Sequence, residues 1–237
     1  MNSAPTSPKI VIVCAMKEEA AAVIAGLGTS NHERFELIRA GVGPNAAARV
    51  AKELAARSAP PQWIVSTGFC GGLSDSLRVG DAIISSEIAD AESGQVYAGT
   101  GSTALVERLR CGVHAEFGRT VCTRHAVFLP AEKRALGQRC TAIAVDMESR
   151  ALADHVDGST TRVIAMRTVS DAVTDELPRE VGEFLTESGD VQIGKIALFV
   201  LKNPFNIGRL MELKKRSDIA AKSLADMWRA VRDIRFE

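Results

Sequence analysis

Apolar, β-branched runs of strand length alternate along the chain with Ala-rich stretches of helical period. Lys9–Ala15 (KIVIVCA) is an almost unbroken apolar run, the pattern of a strand buried on both faces. Lys17–Leu27 follows as a helix stopped by Gly28. Phe35–Ala40 is a second strand. Pro44–Ser58 opens on Pro and is rich in Ala, which predicts a helix. Further strands are predicted over Pro61–Thr67, Val79–Ile88, Arg119–Cys122, Ala142–Asp146 and Arg162–Val169. Helices are predicted over Thr103–His114, Ala131–Leu136 and Met147–Val156. Ala89–Gly101 reads as a hairpin. The alternation predicts an α/β fold, one domain over residues 1–237 with a central mostly parallel or mixed sheet flanked by helices. Residues 190–237 read as a helical, basic C-terminal extension, broken near Asn203-Pro204.

Composition then narrows the function. Lys plus Arg number 29 and Asp plus Glu 29, so the chain lacks the basic excess of a protein that coats a nucleic acid polymer. No apolar run reaches the roughly 20 residues that cross a bilayer. Met1–Pro8 is polar and has no basic segment ahead of an apolar one, so no secretory signal is expected and the location is cytoplasmic. The five cysteines (Cys14, Cys70, Cys111, Cys122, Cys140) form no CxxC pair and read as small buried thiols. His32, His114, His125 and His155 show no ligand spacing, and neither a metal nor another cofactor is expected. A GxSxG elbow is missing, which disfavours a hydrolase triad.

In open α/β sheets, ligands sit beyond the carboxyl ends of the strands. Four such ends carry chemistry here. Glu18 and Glu19 follow the first strand, where a carboxylate serves either as a general base or as a solvated acid favoured by the helix dipole. Thr67-Gly68-Phe69-Cys70-Gly71-Gly72 reads as a glycine loop able to bring backbone N–H groups close to a ligand, though it is not a P-loop. Gly41-Val42-Gly43 is an incomplete dinucleotide fingerprint and equally an ordinary strand-to-helix turn. Asp146-Met147-Glu148 lies at a strand-to-helix junction. There Asp146 is a natural cap, Glu148 an acceptor for paired hydroxyls and Met147 an apolar face for a sugar. Ser170-Asp171 ends the last strand, with Asp171 either a general acid or a turn-forming residue.

Taken together and in order, IVIVCAMKEEAAAV, AGVGPNAAA, STGFCGGLSDSLRVGD, AIAVDMESRALA and MRTVSDA resemble the nucleoside phosphorylase and nucleosidase superfamily. The nearest well-described type is the methylthioadenosine/S-adenosylhomocysteine nucleosidase. The resemblance implies cleavage of the N-glycosidic bond of a purine nucleoside. Glu19 matches the residue that activates water, with Met16 in the same motif. Met147 and Glu148 match the residues that hold the ribose. Asp171 matches the acid that protonates the purine at N7, supported by Ser170. Thr123–Lys133 falls where the family binds the base, which makes Val127 or Phe128 the stacking residue.

Phosphorylases of this family place an Arg just before the glycine segment and a Ser or Thr within it. Here those places hold Ser66 and Phe69, which favours water over phosphate; Phe69 also differs from the Ser of the nucleosidases. PAEK at Pro130–Lys133 and the tail resemble a branch associated with hopanoid biosynthesis, whose substrate carries a large lipid at the 5′ carbon. Lys195–Glu237 holds ten Lys/Arg against five Asp/Glu, so the tail is about +5 and the rest about −5. Its apolar positions (Ile196–Leu201, Phe205, Ile207, Leu210, Met211) make it either a peripheral membrane contact or helices packed on the fold or a second subunit. The expectation is therefore hydrolysis of a 5′-modified adenosine, of adenosylhopane-like or methylthioadenosine/S-adenosylhomocysteine-like type, with release of adenine by a homo-oligomer. The alternatives are a phosphate-dependent purine nucleoside phosphorylase and a non-catalytic nucleoside-binding protein.

Overall fold

The computed structural model describes residues 10–28, 34–97, 103–156, 160–178 and 207–236. In chain order the elements are β1 (Ile10–Cys14), α1 (Lys17–Leu27), β2 (Phe35–Arg39), α2 (Pro44–Ala55), β3 (Trp63–Gly72), β4 (Ala82–Asp90) and β5 (Val96–Tyr97). They continue with α3 (Thr103–Gly112), β6 (Glu116–Cys122), α4 (Pro130–Cys140), β7 (Ala144–Asp146), α5 (Ser149–Asp154), β8 (Arg162–Asp171) and α6 (Ile207–Val231).

The strands form one mixed sheet in the order β2-β1-β3-β7-β6-β4-β5, with β8 pairing to both β3 and β4. β3–β8, β6–β7 and β4–β6 are parallel, while β3–β7 and β4–β8 are antiparallel, so these five strands close into a circuit. Cys70, Ile83, Ala144 and Val169, one from each of four of those strands, pack together with Leu77.

The apolar runs of the sequence are strands covered on both faces. Ile10 and Ile12 of β1 face a core that includes Val23 of α1, Leu105 of α3 and Leu224 of α6, whereas Val11 and Val13 face one that includes Val50 of α2 and Leu152 of α5. That is period-2 alternation with both faces buried, as strands inside a three-layer α/β structure require. The hairpin expected over Ala89–Gly101 exists in its described part, where Val96 and Tyr97 pair with Ala89 and Ile88.

Three sequence expectations need correction. Thr67–Gly72 is not a loop. β3 runs on through Gly72, because Gly68 to Cys70 stay in register with β8 before a bulge between Cys70 and Gly71. β8 runs two residues beyond the predicted bound at Val169 and ends at Asp171. The cysteines are not uniformly buried: Cys111 is exposed and Cys140 half-buried.

The tail also differs in character from an appendage. Leu224, Met227, Trp228 and Val231, spaced as one helical face, are all buried in the main core. Trp228 Nε1 donates to Thr67 Oγ1 at 3.0 Å, and Trp63 Nε1 to the Phe236 carbonyl at 3.0 Å. α1 accommodates this helix at Gly26, where a Cβ would stand 2.4 Å from the Ala225 carbonyl oxygen. The expected break at Asn203-Pro204 and the apolar run Ile196–Leu201 lie outside the described residues.

Candidate active site

Two buried clusters of charge lie along β3 and β8. The first begins at the start of α1. Glu18 is exposed, but Glu19 turns inward and is 3% exposed. Its Oε2 accepts the N–H groups of Ala15 at 2.8 Å and Met16 at 2.9 Å, and its Oε1 accepts Phe69 N–H at 2.8 Å. The first two bonds cap the helix entry, and the third reaches across to β3. Gly68 makes room for this approach. It holds φ +139°, and a Cβ there would lie 2.3 Å from Glu19 Oε1. Burial raises the Glu19 pKa, against the opposing pull of Arg167 and the three N–H bonds.

Arg167, in the middle of β8, is the cation of this cluster, and sequence reasoning passed it over. Its guanidinium donates to Ser66 Oγ at 2.7 Å and Ser149 Oγ at 3.1 Å. It pairs with Asp146 at 3.1 Å and Glu148 at 3.5 Å. Its Nε is the one buried side-chain polar atom, among the described residues, without a hydrogen-bond partner. Burial works against its charge, but Asp146, Glu148 and Glu19 outweigh that and raise its pKa. The available signal was a lone Arg inside an otherwise apolar strand, RVIAMRTV.

Asp146 does cap α5, accepting the N–H groups of Glu148 and Ser149 at 3.1 Å each, while its other oxygen faces Arg167. Glu148 accepts Gly43 N–H at 2.9 Å, so the weak glycine pair after β2 has a definite partner. Burial pushes the Glu148 pKa up to about 7, with Arg167 opposing and Asp146 and Glu19 reinforcing. Three acids thus surround one guanidinium, an environment short of positive charge.

The second cluster closes the end of β8. Asp171 is buried; its Oδ2 accepts Lys133 Nζ at 2.5 Å and its Oδ1 accepts Ser170 Oγ at 2.8 Å. The turn-forming role considered for Asp171 falls instead to Asp175, whose Oδ2 accepts Ala172 N–H at 2.8 Å. Phe69, bound to Glu19, pairs with Thr168, and Gly71 pairs with Asp171. Two residues of strand separate these positions, about 7 Å along β3. Glu19 and Asp171 thus meet β3 two residues apart.

The other expected residues are placed less sharply. Met16 and Met147 are half-buried beside Glu19 and Glu148 in the chain. The Phe69 ring packs against the core that holds Trp228. Val127 packs with Leu73, Val121, Leu136 and Val145. Phe128 accepts Leu177 N–H at 3.0 Å through its carbonyl, which ties the segment to the turn after Asp171. No described hydrogen bond or packing cluster joins Val127 or Phe128 to Glu19 or Glu148.

Comparison with known proteins bears on the family and the fold. The sequence profile of the phosphorylase superfamily matches residues 9–200. A 5′-methylthioadenosine/S-adenosylhomocysteine nucleosidase from Shewanella loihica is 27% identical over 76% of this chain and 94% of its own length. The fold is shared with the MTA/SAH nucleosidase of Streptococcus pneumoniae solved with 8-aminoadenine, at TM-score 0.65, 19% identity and coverage of 94% and 99% of the two chains. It is also shared with the Neisseria meningitidis nucleosidase solved with methylthio-immucillin-A, at TM-score 0.64, 20% identity and coverage of 93% and 98%.

Proposed function

The chain belongs to the phosphorylase superfamily, and from that premise and the geometry above we propose that it hydrolyses a 5′-modified adenosine to adenine and a free sugar. The S. loihica relative bears the name of such a nucleosidase. One observation carries the choice of water over phosphate. The Phe69 N–H on β3 is already taken by the Glu19 carboxylate, and the Arg167 guanidinium faces three acids. A phosphate dianion entering there would meet three carboxylates against one unpaired donor, Arg167 Nε. A developing sugar cation meets the opposite: acids that outnumber the one fixed cation.

The mechanism follows from the two clusters. Asp171 gives a proton to N7 of the purine, and the electron pair of the C1′–N9 bond leaves with the base. The sugar becomes oxocarbenium-like between Glu19 and Glu148. Glu148 accepts from the ribose hydroxyls. Glu19, whose basicity burial raises, removes a proton as water adds to C1′. The unpartnered Arg167 Nε is a donor suited to the water or to a sugar hydroxyl. Met16 and Met147 supply apolar contact to the sugar and its 5′ group, and Val127 or Phe128 stacks on the base. Adenine release from a panel of 5′-substituted adenosines, with and without phosphate, tests the proposal. Release unaffected by phosphate is expected, and an absolute need for phosphate would overturn it.

The outer half of α6 supports a peripheral membrane contact. Ile207, Met211 and Ile219 are exposed beside Lys214, Lys215 and Lys222, an apolar stripe with a basic border suited to anionic lipid. Flotation with anionic but not neutral vesicles is expected, and flotation with neither would remove this part of the reading.

A further inference from the structure

Lysine is rarely buried completely, yet Lys133 on the first turn of α4 has no exposed surface. Its ammonium has three N–H donors, and all three are used. One goes to Asp171 Oδ2 at 2.5 Å, one to the Ala172 carbonyl at 3.0 Å and one to the Asp175 carbonyl at 2.9 Å. The turn those carbonyls belong to is itself closed, with Asp175 N–H donating to the Ala172 carbonyl at 3.0 Å. Arg216 of α6 holds the Asp175 carboxylate at 3.2 Å. Lys133 therefore ties one oxygen of Asp171 to a rigid turn.

The other oxygen is held differently. Ser170 Oγ lies 2.8 Å from Asp171 Oδ1 and 3.2 Å from the Cys70 carbonyl. A hydroxyl has one hydrogen and can serve only one of these acceptors at a time. With the hydrogen on Cys70, Oδ1 is free to carry a proton. Oδ2 has no such freedom, because Lys133 has no alternative geometry in its closed shell of acceptors.

We propose that Lys133 is a positioning residue for the proton transfer: by occupying Oδ2 it confines the transferable proton of Asp171 to Oδ1 and fixes the carboxyl plane toward the base. This rests on the reading of Asp171 as the acid. A buried ion pair is a poor source of stability compared with apolar packing, so its presence at this acid calls for a role at the acid.

A double-mutant cycle on adenine release tests this, using the best 5′-substituted adenosine of the panel and the variants K133M, D171N and K133M/D171N. D171N is expected to lower kcat by about 100-fold or more, as loss of a general acid does. K133M is expected to lower kcat by about 100-fold with KM within about threefold, the signature of a misplaced acid. On the D171N background K133M is expected to change kcat by less than about twofold, because its only route of action is gone. A further loss of about 100-fold on that background would mean a merely structural role and would overturn the proposal. So would a K133M kcat within about threefold of wild type, or a loss seen only in KM. If D171N itself keeps wild-type adenine release, the reading of Asp171 fails, and that result is distinct from a failure of Lys133 alone. Should K133M not fold, K133L, which likewise removes the N–H donor to Oδ2, replaces it in the same cycle with the same outcomes.

Discussion

Replacing Gly68 by Ala adds one methyl group and removes no functional atom, yet the geometry predicts that it disables Glu19. The new Cβ would stand 2.3 Å from Glu19 Oε1 and 2.5 Å from its Cδ, where real Cβ atoms come no closer than about 3.0 Å. The carboxyl must move by about 0.7 Å, and it has nowhere to move without breaking bonds. Its two oxygens are pinned by Ala15, Met16 and Phe69 N–H groups at 2.8–2.9 Å. Ala would also have to hold φ +139°, a conformation that costs a non-glycine residue about 1–3 kcal/mol. Misplacement of a catalytic group by about 1 Å costs on the order of 100-fold in rate. The expected outcome for G68A is a kcat for adenine release about 100-fold below wild type, with a thermal midpoint lowered by no more than the strain requires. Steady-state adenine release and a thermal melt measure both. Wild-type kcat in a folded G68A protein would refute the argument that Glu19 is held in its working position by this contact.

Other outcomes follow from the same clusters. In the proposed role Glu148 is ionised when it accepts from the paired ribose hydroxyls, and its pKa is pushed up to about 7, so kcat/KM is expected to rise with pH through that value; a profile flat from pH 6 to 8 would contradict the assignment. Because the folded state holds this proton more tightly than the unfolded chain, Glu148 favours folding most below its ordinary value of 4.5, and that contribution is lost as pH rises through about 7. The urea midpoint of E148Q should therefore lose part of the pH dependence seen in wild type. R167M leaves Asp146, Glu148 and Glu19 buried without a cation and is expected to destabilise the protein by about 3–5 kcal/mol in urea unfolding, whereas a loss below about 1 kcal/mol would contradict the cluster as described. Trp228→Ala removes a fully buried ring that also donates to Thr67 and is expected to cost about 3–5 kcal/mol; a near-neutral result would mean that α6 is no part of the core.

Much of this arrangement was legible in the residues. The apolar run of β1, the Pro and Ala pattern of α2, and the carboxylates at strand ends all report local physics, and local physics is what sequence periodicity records. Reading Glu19, Glu148 and Asp171 as a group needed the order of five motifs, because each alone is equally a cap or a turn residue. Long-range pairing was not legible. Nothing near Lys133 announces Asp171, 38 positions away, and nothing near Arg167 announces Ser66, 101 positions away. The glycines of β3 have the composition of a turn, whereas Gly68 serves close approach to Glu19 within a strand. Leu224, Met227, Trp228 and Val231 are spaced as one buried helical face, in line with the alternative of a tail packed on the fold.

The central claim is that water, not phosphate, is the second substrate. The most direct test is turnover of the best 5′-substituted adenosine in ¹⁸O-labelled water containing phosphate, with mass analysis of the sugar product. The account predicts a free sugar carrying the label at C1 and adenine in equal amount. An unlabelled sugar 1-phosphate would contradict it.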